Sequence, residues 1–326
     1  MLEGLARRCW LPVAPSLIGA RDTLGYALGK ELLLTRNGTA FHNQCPHRGA
    51  PFVPCDKASV VRCDYHGFVF RKSDGTLVGA PHTDKATAAR LRDSMRLKEV
   101  PLHRADPFYY AWLGEDDEAP PPPQTAHALP MPGPFRSVMA LSLPVESAWH
   151  VLVENFCCWY HVPQLHAPSG LGAMSLPEDH FVVEDARPHD GLWFGTNPLR
   201  DSGGHPATQA CSDTAEGLRS MGLFVAATPN AFAFMMPSHV FTCIVEPVSD
   251  TRSIEHVELF VHEGMEQEKI VKLWDFYNDV NNEDIAMCEA ITKQRGSDVP
   301  DPKRTEYVLP HEGVTRRFHE RIAAAL

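Results

Sequence analysis

The sequence predicts an α+β protein in which a small all-β unit precedes a larger unit made of an antiparallel sheet and a long helix. Residues 26–113 contain short strand-like segments separated by turns at Asn37-Gly38 and Asp74-Gly75, which is typical of β-hairpins. An acidic and then proline-rich stretch follows at 115–123. Beyond it, several apolar strands lead into one long helical pattern, and this order of elements favours the α+β class.

Length and the proline-rich stretch together predict two domains. A chain of 326 residues exceeds the usual size of one hydrophobic core, although a single large domain is an alternative. Residues 1–118 are expected to form the first domain and 135–326 the second. Residues 119–134 are expected to be a linker, because consecutive prolines are stiff and pack poorly.

The second domain is expected to open with a strand over 137–143 and a helix over 146–160, which Pro163 should end. An antiparallel meander should follow, since apolar segments alternate with turn residues. Its strands are expected at 223–227, 231–236, 240–245 and 254–261. A long helix is expected over 266–294.

Composition excludes several classes of protein. The hydrophobic fraction of 44% and the charged fraction of 22% are those of ordinary globular proteins. A net charge of −11 with scattered basic residues predicts no nucleic-acid partner, because phosphate groups would be repelled. No apolar stretch is long enough for a membrane span or a secretory signal. We therefore expect a cytoplasmic protein whose nine cysteines are thiols or metal ligands.

A first group of metal-ligating residues lies in the N-terminal domain. Cys45 and His47 form a C-x-H motif, and after fifteen intervening residues Cys63 and His66 form a C-x-x-H motif. Two thiolates on one iron and two imidazoles on the other are the ligands of a Rieske 2Fe–2S centre. The pattern therefore predicts such a cluster on these four residues.

A structural zinc site is the alternative for the same four residues, because zinc also accepts two thiolates and two imidazoles. A zinc finger would pair cysteine with cysteine and histidine with histidine along the sequence, whereas each motif here mixes the two types. Gly49 and Gly67 would also let the backbone curl around a larger inorganic core. The spacing favours the cluster.

A second group combines His161 and His166 with Asp284. On one continuous helix, side chains five residues apart diverge by about 140°, but Pro163 is expected to end the helix so that both imidazoles can reach one ion. Two histidines and a carboxylate form the facial triad that leaves open positions on iron. We predict that these three residues hold a mononuclear iron.

Helical periodicity singles out Asp284 as the carboxylate. It lies in the middle of an apolar stripe on the long helix, whereas Asp279 and Glu283 are expected to face solvent. The stripe consists of Leu273, Tyr277, Val280, Met287, Cys288 and Ile291. A buried carboxylate needs a cation or strong hydrogen-bond partners. The alternatives are an accidental histidine pair among 17 histidines and an aspartate that caps a neighbouring helix.

In combination the two groups resemble the Rieske non-haem iron oxygenase alpha subunits along most of the chain, with the cluster motif first, two histidines next and an acid late. Pro46 and the two glycines flank the cluster ligands as in that family. Respiratory-chain Rieske proteins carry further cysteines where this sequence has Ala50 and Tyr65. Segments 154–156 and 282–289 look most like choline and glycine-betaine monooxygenases, while the short length resembles the demethylase-type branch.

This resemblance implies a Rieske 2Fe–2S domain followed by a helix-grip (START-like) catalytic domain. It implies a 2Fe–2S cluster and mononuclear Fe(II) as cofactors, Asn155 as a further catalytic residue, and a homotrimer. It also implies a separate reductase or ferredoxin that delivers electrons from NADH or NADPH, since the chain has no dinucleotide fingerprint. O2 and a small aromatic or methylated amine would be the substrates, with the amine slightly preferred.

One position departs from the family pattern. Relatives usually carry Asp or Glu three residues before the first iron-binding histidine, where it bridges to a cluster histidine of the neighbouring subunit, but Cys158 stands here. A thiol is a weak hydrogen-bond donor, and Glu154 lies about 10 Å away along the expected helix. Electrons are therefore expected either to follow another route or to transfer poorly.

The resulting functional prediction is a Rieske mono- or dioxygenase that hydroxylates or oxidatively demethylates its substrate. Strand residues are candidates for an apolar substrate cavity, although strand aromatics more often belong to the core. These candidates are Phe232, Phe234, Met235, Met236 and Phe241. The alternative is an electron-transfer protein that uses only the cluster, with a non-catalytic binding module as its second domain.

Overall fold

The computed structural model describes most of the chain. The described residues are 2–14, 21–105, 108–114, 122, 135–174, 180–183, 192–196, 222–227, 229–236, 238–309 and 311–325. Apart from Pro122, the expected linker at 119–134 lies outside them, and so does the side chain of Met235.

Short strands dominate the N-terminal region, and a sheet with helices forms the C-terminal region. The N-terminal elements are α1 (Leu2–Ala6), β1 (Leu11–Pro12), β2 (Thr23–Ala27), β3 (Lys30–Leu34), β4 (Ala40–His42), β5 (Val60–Arg62), β6 (Val69–Arg71), β7 (Leu77–Gly79), α2 (Lys85–Ser94), β8 (Glu99–Val100), β9 (Leu102–Ala105) and β10 (Phe108–Ala111). The C-terminal elements are β11 (Phe135–Val145), α3 (Trp149–Cys157), α4 (Val162–Leu165), α5 (Leu171–Met174), β12 (His180–Val183), β13 (Leu192–Thr196), β14 (Gly222–Ala227), β15 (Ala231–Met235), β16 (His239–Ser249), β17 (Arg252–His262), α6 (Gln267–Arg295) and α7 (Gly313–Ala325).

Three small antiparallel sheets build the N-terminal region, with strand orders β1-β10-β9, β2-β3-β4-β8 and β5-β6-β7. A cluster of buried apolar side chains that includes Phe41, Phe52 and Phe70 packs against Cys45 and Cys63. The loops that carry the first metal motif therefore pack against a rigid apolar core.

The C-terminal region contains a seven-stranded antiparallel sheet of order β11-β17-β16-β15-β14-β13-β12. Helices α3, α6 and α7 share one apolar core with the inner face of this sheet, since residues of all four elements are buried together. Helix α6 has the expected extent to within one residue at each end. An all-β first unit followed by an antiparallel sheet with a long helix confirms the predicted fold class.

The N-terminal region packs on the outer face of the large sheet. The ring of Tyr26 stacks on that of His256, with centroids 5.6 Å apart and planes inclined by 11°. The backbone N–H of Gly29 donates to the carboxylate of Glu246 on β16. One face of the sheet therefore contacts the first domain, while the opposite face contacts the helices.

The expectation that Pro163 ends a helix reaching Tyr160 was wrong. Helix α3 ends at Cys157, and Pro163 lies in the first turn of the separate one-turn helix α4. Proline suits a first turn because the N–H that it lacks has no acceptor within the helix there. His161 precedes α4 and His166 follows it, so α4 itself separates the two histidines.

Of the helices that the sequence did not predict, α2 and α7 are the longest. Helix α2 has no buried residue, so no apolar stripe marks it, and its start depends on Asp84, whose carboxylate accepts from the N–H groups of Ala86 and Thr87. Helix α7 buries Val314, Phe318 and Ile322, a four-residue spacing that periodicity could have revealed. Among the described helices, none is both long enough and apolar enough to cross a membrane.

A buried lysine links separate segments of the N-terminal region. The side chain of Lys72 is 2% exposed, and its ammonium donates to the carboxylate of Asp22, to the carbonyl of Cys55 and, across 2.7 Å, to the carbonyl of Ala58. Asp22 also accepts from the N–H of Arg36 at 2.9 Å. These contacts fix the position of the segment that connects the two loops of the first metal motif.

Replacing Lys72 by Met should destabilise the first domain by about 3 to 5 kcal/mol, because the buried Asp22 carboxylate would lose its counter-charge. Denaturant unfolding followed by circular dichroism measures this change. Lys57→Met, at an exposed position, is the matched control and should shift the midpoint very little. Equal midpoints for the two variants would contradict the assigned role of the ion pair.

Candidate metal centres

Two short loops carry the residues of the first metal motif, and their backbones fold alike. The N–H of Cys45 and that of Cys63 each donate to the carbonyl five residues later, at 2.8 Å in both loops. Gly49 and Gly67 donate back to these cysteine carbonyls, also at 2.8 Å. Their φ values, 76° and 75°, lie in the left-handed region that favours glycine. The two loops therefore present their side chains in equivalent ways.

The four candidate ligands form an inner and an outer pair. Cys45 and Cys63 are buried, at 2% and 1% exposure, and burial together with the neighbouring Cys63 thiol raises the pKa of Cys45. His47 and His66 lie further out, with ring centroids 4.7 Å apart. The Nδ1 atom of His47 is buried and has no hydrogen-bond partner among the described residues. Such an atom is available to bind a metal.

The second group forms a compact triangle of donor atoms. The Nε2 atoms of His161 and His166 are 3.3 Å apart. Oδ1 of Asp284 lies 3.4 Å from the first nitrogen and 3.2 Å from the second. Nearly equal edges of this length are typical of three ligands on one face of an octahedral ion. Among the described residues, this is the group of three metal-ligating side chains that lie close enough together to share one ion.

Because the triangle is buried, an unbalanced charge on any of its three side chains would cost free energy. Asp284 is 5% exposed, and its Oδ1 atom has no well-aligned hydrogen bond to any described residue. Burial alone would raise the pKa of Asp284, but His161 and His166 hold it well below its usual range. Burial alone would lower the pKa of His161, but Asp284 and Cys158 outweigh it and raise the pKa to about 9. The site therefore favours positive charge between its acceptor atoms.

Glu283 contributes a contact that the sequence did not reveal. Its expected exposure to solvent was wrong, since its Oε2 atom lies 2.8 Å from Nδ1 of His166. Both the N–H and the hydroxyl of Ser169 also donate to this carboxylate, at 3.0 and 2.9 Å. A proton shared with Glu283 at Nδ1 leaves Nε2 of His166 as a lone-pair donor facing the triangle.

Helical periodicity predicted the wrong exposure for Glu283 because it describes one helix in isolation. The turn after α4 folds over the side of α6 that carries Glu283, so that side is only partly open to solvent. The stripe was also wrong for Met287, which is 44% exposed. The sequence signal for Glu283 was its position directly before Asp284, the predicted metal ligand.

Asn155 and Cys158 lie beside the triangle on the α3 side. Both residues line the adjoining cavity, and the Nδ2 atom of Asn155 is buried without a partner among the described residues. The thiol of Cys158 donates to Oε1 of Glu312 across 3.9 Å. Glu154 is occupied elsewhere, since Arg295 donates to both of its oxygens at 2.7 and 3.2 Å.

The cavity beside the triangle is lined mainly by apolar side chains, six of which are phenylalanine, tyrosine or tryptophan. Three of the candidate lining residues face it, namely Phe232, Phe234 and Phe241. Met236 is wholly buried and is not among the described lining residues. Phe232 stacks on Phe156 with centroids 4.9 Å apart, and Phe241 stacks on Tyr277 with centroids 4.8 Å apart. An apolar ligand in this cavity would lie next to the candidate metal-ligating atoms.

Two protein-family models match the chain in the order that the sequence predicted. The model described as Rieske [2Fe-2S] domain matches residues 11–101, and the one described as ring hydroxylating alpha subunit (catalytic domain) matches residues 134–326. The chain therefore belongs to the ring-hydroxylating alpha-subunit family and carries a Rieske domain at its N-terminal side. This membership confirms the expected family and implies a 2Fe–2S cluster and a mononuclear iron as cofactors.

Curated relatives match only part of the chain. The terminal oxygenase component CarAa of carbazole 1,9a-dioxygenase from Sphingomonas sp. is 28% identical over 122 residues, which are 35% of this chain and 32% of the relative. The oxygenase subunit of 5,5'-dehydrodivanillate O-demethylase from Sphingobium sp. (strain NBRC 103272 / SYK-6) is 29% identical over 178 residues, which are 50% of this chain and 39% of the relative. The chain spans about a third of the length of these relatives.

Solved structures with the same fold cover nearly the whole chain. The quaternary ammonium Rieske monooxygenase CntA in complex with L-carnitine has a TM-score of 0.70 at 14% identity, with 99% of this chain and 90% of that chain covered. Naphthalene 1,2-dioxygenase from Rhodococcus sp. bound to indole has a TM-score of 0.72 at 15% identity, with the same coverage. At these identities the likeness concerns the fold.

Metal binding at the triangle should depend on pH, because His161 must release a proton. Since its pKa is about 9 in the metal-free protein, the ring carries a proton at neutral pH, and a cation binds only the unprotonated form. The association constant for Co(II) should therefore rise about tenfold per pH unit up to pH ~8.5. Competition titrations against a chelator, corrected for its own protonation, measure this slope, and a pH-independent constant would refute the protonated starting state.

Removing the carboxylate of Glu283 should weaken metal binding at the triangle by about 10- to 100-fold, because His166 would lose the acceptor that fixes its tautomer. Glu283→Gln should fall between Glu283→Ala and the unchanged protein. Asp279→Ala, an exposed carboxylate on the same helix, serves as the control. Co(II) affinities of Glu283→Ala and Asp279→Ala that agree within a factor of two would show that Glu283 does not position the ligand.

Proposed function

We propose that this protein is the catalytic subunit of a Rieske oxygenase that uses O2 to hydroxylate or oxidatively demethylate a small organic substrate. The observation that carries the proposal is the presence, on one chain, of a paired Cys/His group and a separate His/His/Asp triangle beside an aromatic cavity. Membership of the ring-hydroxylating family supports the same activity. A protein that only transfers electrons would have no use for the second group.

In this proposal Cys45 and Cys63 bind one iron of the cluster, and His47 and His66 bind the other. The separation into a buried thiol pair and an outer imidazole pair supports two metals rather than one tetrahedral zinc, whose four ligands would surround a common point. His66 is exposed, so an electron donor can approach the imidazole side. The buried side is screened from water by the apolar core beneath it.

The mononuclear iron is assigned to His161, His166 and Asp284. Iron bound there would supply the oxygen-activating chemistry. Glu283 holds the His166 ring in the orientation and tautomer that present Nε2, and the aromatic cavity excludes water from the bound substrate. Asn155, assigned as a catalytic residue, places its unpartnered amide nitrogen in the cavity wall, where it can donate to a polar substrate atom.

Electrons are proposed to come from NADH or NADPH through a separate reductase or ferredoxin, with a homotrimer as the assembly. The carboxylate of Glu312 beside the Cys158 thiol supplies a charge near the position where relatives carry an acid. A cytoplasmic location is supported by the eight described cysteines, none of which forms a disulfide.

Metal analysis tests the proposal against the electron-carrier alternative. Reconstituted protein should contain about three irons and two acid-labile sulfides per chain, and Asp284→Ala should keep about two of each while losing the third iron and all substrate oxidation. Asp275→Ala, exposed on the same helix, should retain full iron content. Two irons in the unchanged protein would support the carrier, and zinc without sulfide would exclude both functions.

A further inference from the structure

One carboxamide in the cavity wall is held in a fixed orientation. Asn281 on helix α6 is 4% exposed and lines the cavity beside the metal-ligating triangle. Its Nδ2 atom donates to Oε2 of Glu255 on strand β17 across 2.8 Å. Helix α6 and strand β17 are thereby joined by a buried polar contact.

Glu255 determines which end of the amide enters the cavity. The side chain of Glu255 is wholly buried, and its Oε1 atom has no hydrogen-bond partner among the described residues. An ionised carboxylate only accepts hydrogen bonds, so the amide must turn its nitrogen toward Glu255. Burial raises the pKa of Glu255 to about 7, and at pH 8.5 the group is therefore ionised.

The opposite end of the amide, Oδ1 of Asn281, then points away from Glu255 and toward the cavity. The described residues give the Asn281 side chain one hydrogen bond, from Nδ2 to Glu255, and none to Oδ1. Asn281 lines the cavity together with Phe234 and Tyr277. The hydroxyl of the neighbouring Tyr277 lies 2.7 Å from Nε2 of the buried His239. A hydrogen-bond acceptor without a donor in an apolar cavity favours a ligand that brings its own donor.

Charge around the cavity argues for a neutral ligand. Away from the triangle, the described lining residues include no lysine or arginine, so an anionic group in that part of the cavity would find no counter-charge among them. The aromatic walls suit a planar ring through stacking and edge contacts. A quaternary ammonium ion would also contact these rings, but it has no N–H or O–H for Asn281 Oδ1.

We propose that Asn281, oriented by Glu255, determines the specificity of the cavity by accepting a hydrogen bond from an N–H or O–H group of a neutral aromatic substrate. This inference rests on the proposed function, because it takes the cavity as the substrate site. Glu255 acts as a positioning residue through Asn281. The preferred substrate class is therefore a donor-bearing aromatic or heteroaromatic compound rather than a methylated amine.

Isothermal titration with isosteric ligand pairs tests this inference without any turnover. The pairs are indole with benzofuran and phenol with fluorobenzene, and tetramethylammonium serves as the charged probe, all at pH 8.5. Each donor-bearing ring should bind about tenfold more tightly than its partner, since one hydrogen bond to an otherwise unsatisfied acceptor contributes about 1.4 kcal/mol. Asn281→Leu should reduce that ratio to about one while leaving the benzofuran affinity unchanged.

Two further variants keep the result interpretable. Asn281→Leu leaves the Glu255 carboxylate buried without its donor, so the double variant Asn281→Leu with Glu255→Met replaces both partners by apolar groups of similar shape. It should fold and should also lose the preference for indole. Asn282→Leu, at the exposed neighbouring position, should keep the preference in full.

Several outcomes would overturn the inference. These are equal affinities within each pair, a preference that survives in the Asn281 variants, the absence of binding by any donor-bearing ring at millimolar concentration, or tighter binding of tetramethylammonium than of all the rings. Because binding is measured directly, a protein with about three irons but no donor preference would retain the proposed function and lose only this inference. A protein without the mononuclear iron would fail at the earlier step.

Discussion

The convergence of three acceptor atoms in a buried space is the constraint on which the rest of the catalytic domain depends. Two imidazole nitrogens and a carboxylate oxygen lie within 3.4 Å of one another, and lone pairs at this distance repel each other unless a cation or proton lies between them. The fold brings them together with a one-turn helix, which separates His161 from His166, and with helix α6, which carries Asp284 to the same point. Both helices are fixed by the core that they share with the large sheet.

The two metal groups meet different requirements with different surroundings. In the N-terminal loops the thiols face an apolar core and the imidazoles face outward, an arrangement suited to moving electrons without admitting water to the sulfur side. In the catalytic domain the candidate ligands adjoin a cavity with aromatic walls, and one of them, His166, contacts the carboxylate of Glu283. Glu283 and Glu255 both lie behind residues that face the cavity, so each acts on the site through a hydrogen-bonded neighbour.

Motifs and periodicity in the sequence were sufficient to predict the elements that depend on neighbouring residues alone. The mixed Cys/His motifs indicated the family, and helix periodicity placed Asp284 on the buried face and gave helix α6 to within a residue. The contacts of Glu283 and the pairing of Glu255 with Asn281 could not be predicted, because each depends on which distant segment packs against the helix. Helix α2 was missed because its residues are not buried, and Pro163 was misread because proline both ends helices and begins them.

Anomalous diffraction at the iron edge would show whether one chain holds iron at two separate places. Crystals of the iron-loaded protein should show a paired peak between the Cys45/Cys63 and His47/His66 sides and a separate single peak within reach of His161, His166 and Asp284. A peak at the zinc edge in the first position, or an empty second position in fully loaded protein, would contradict the account.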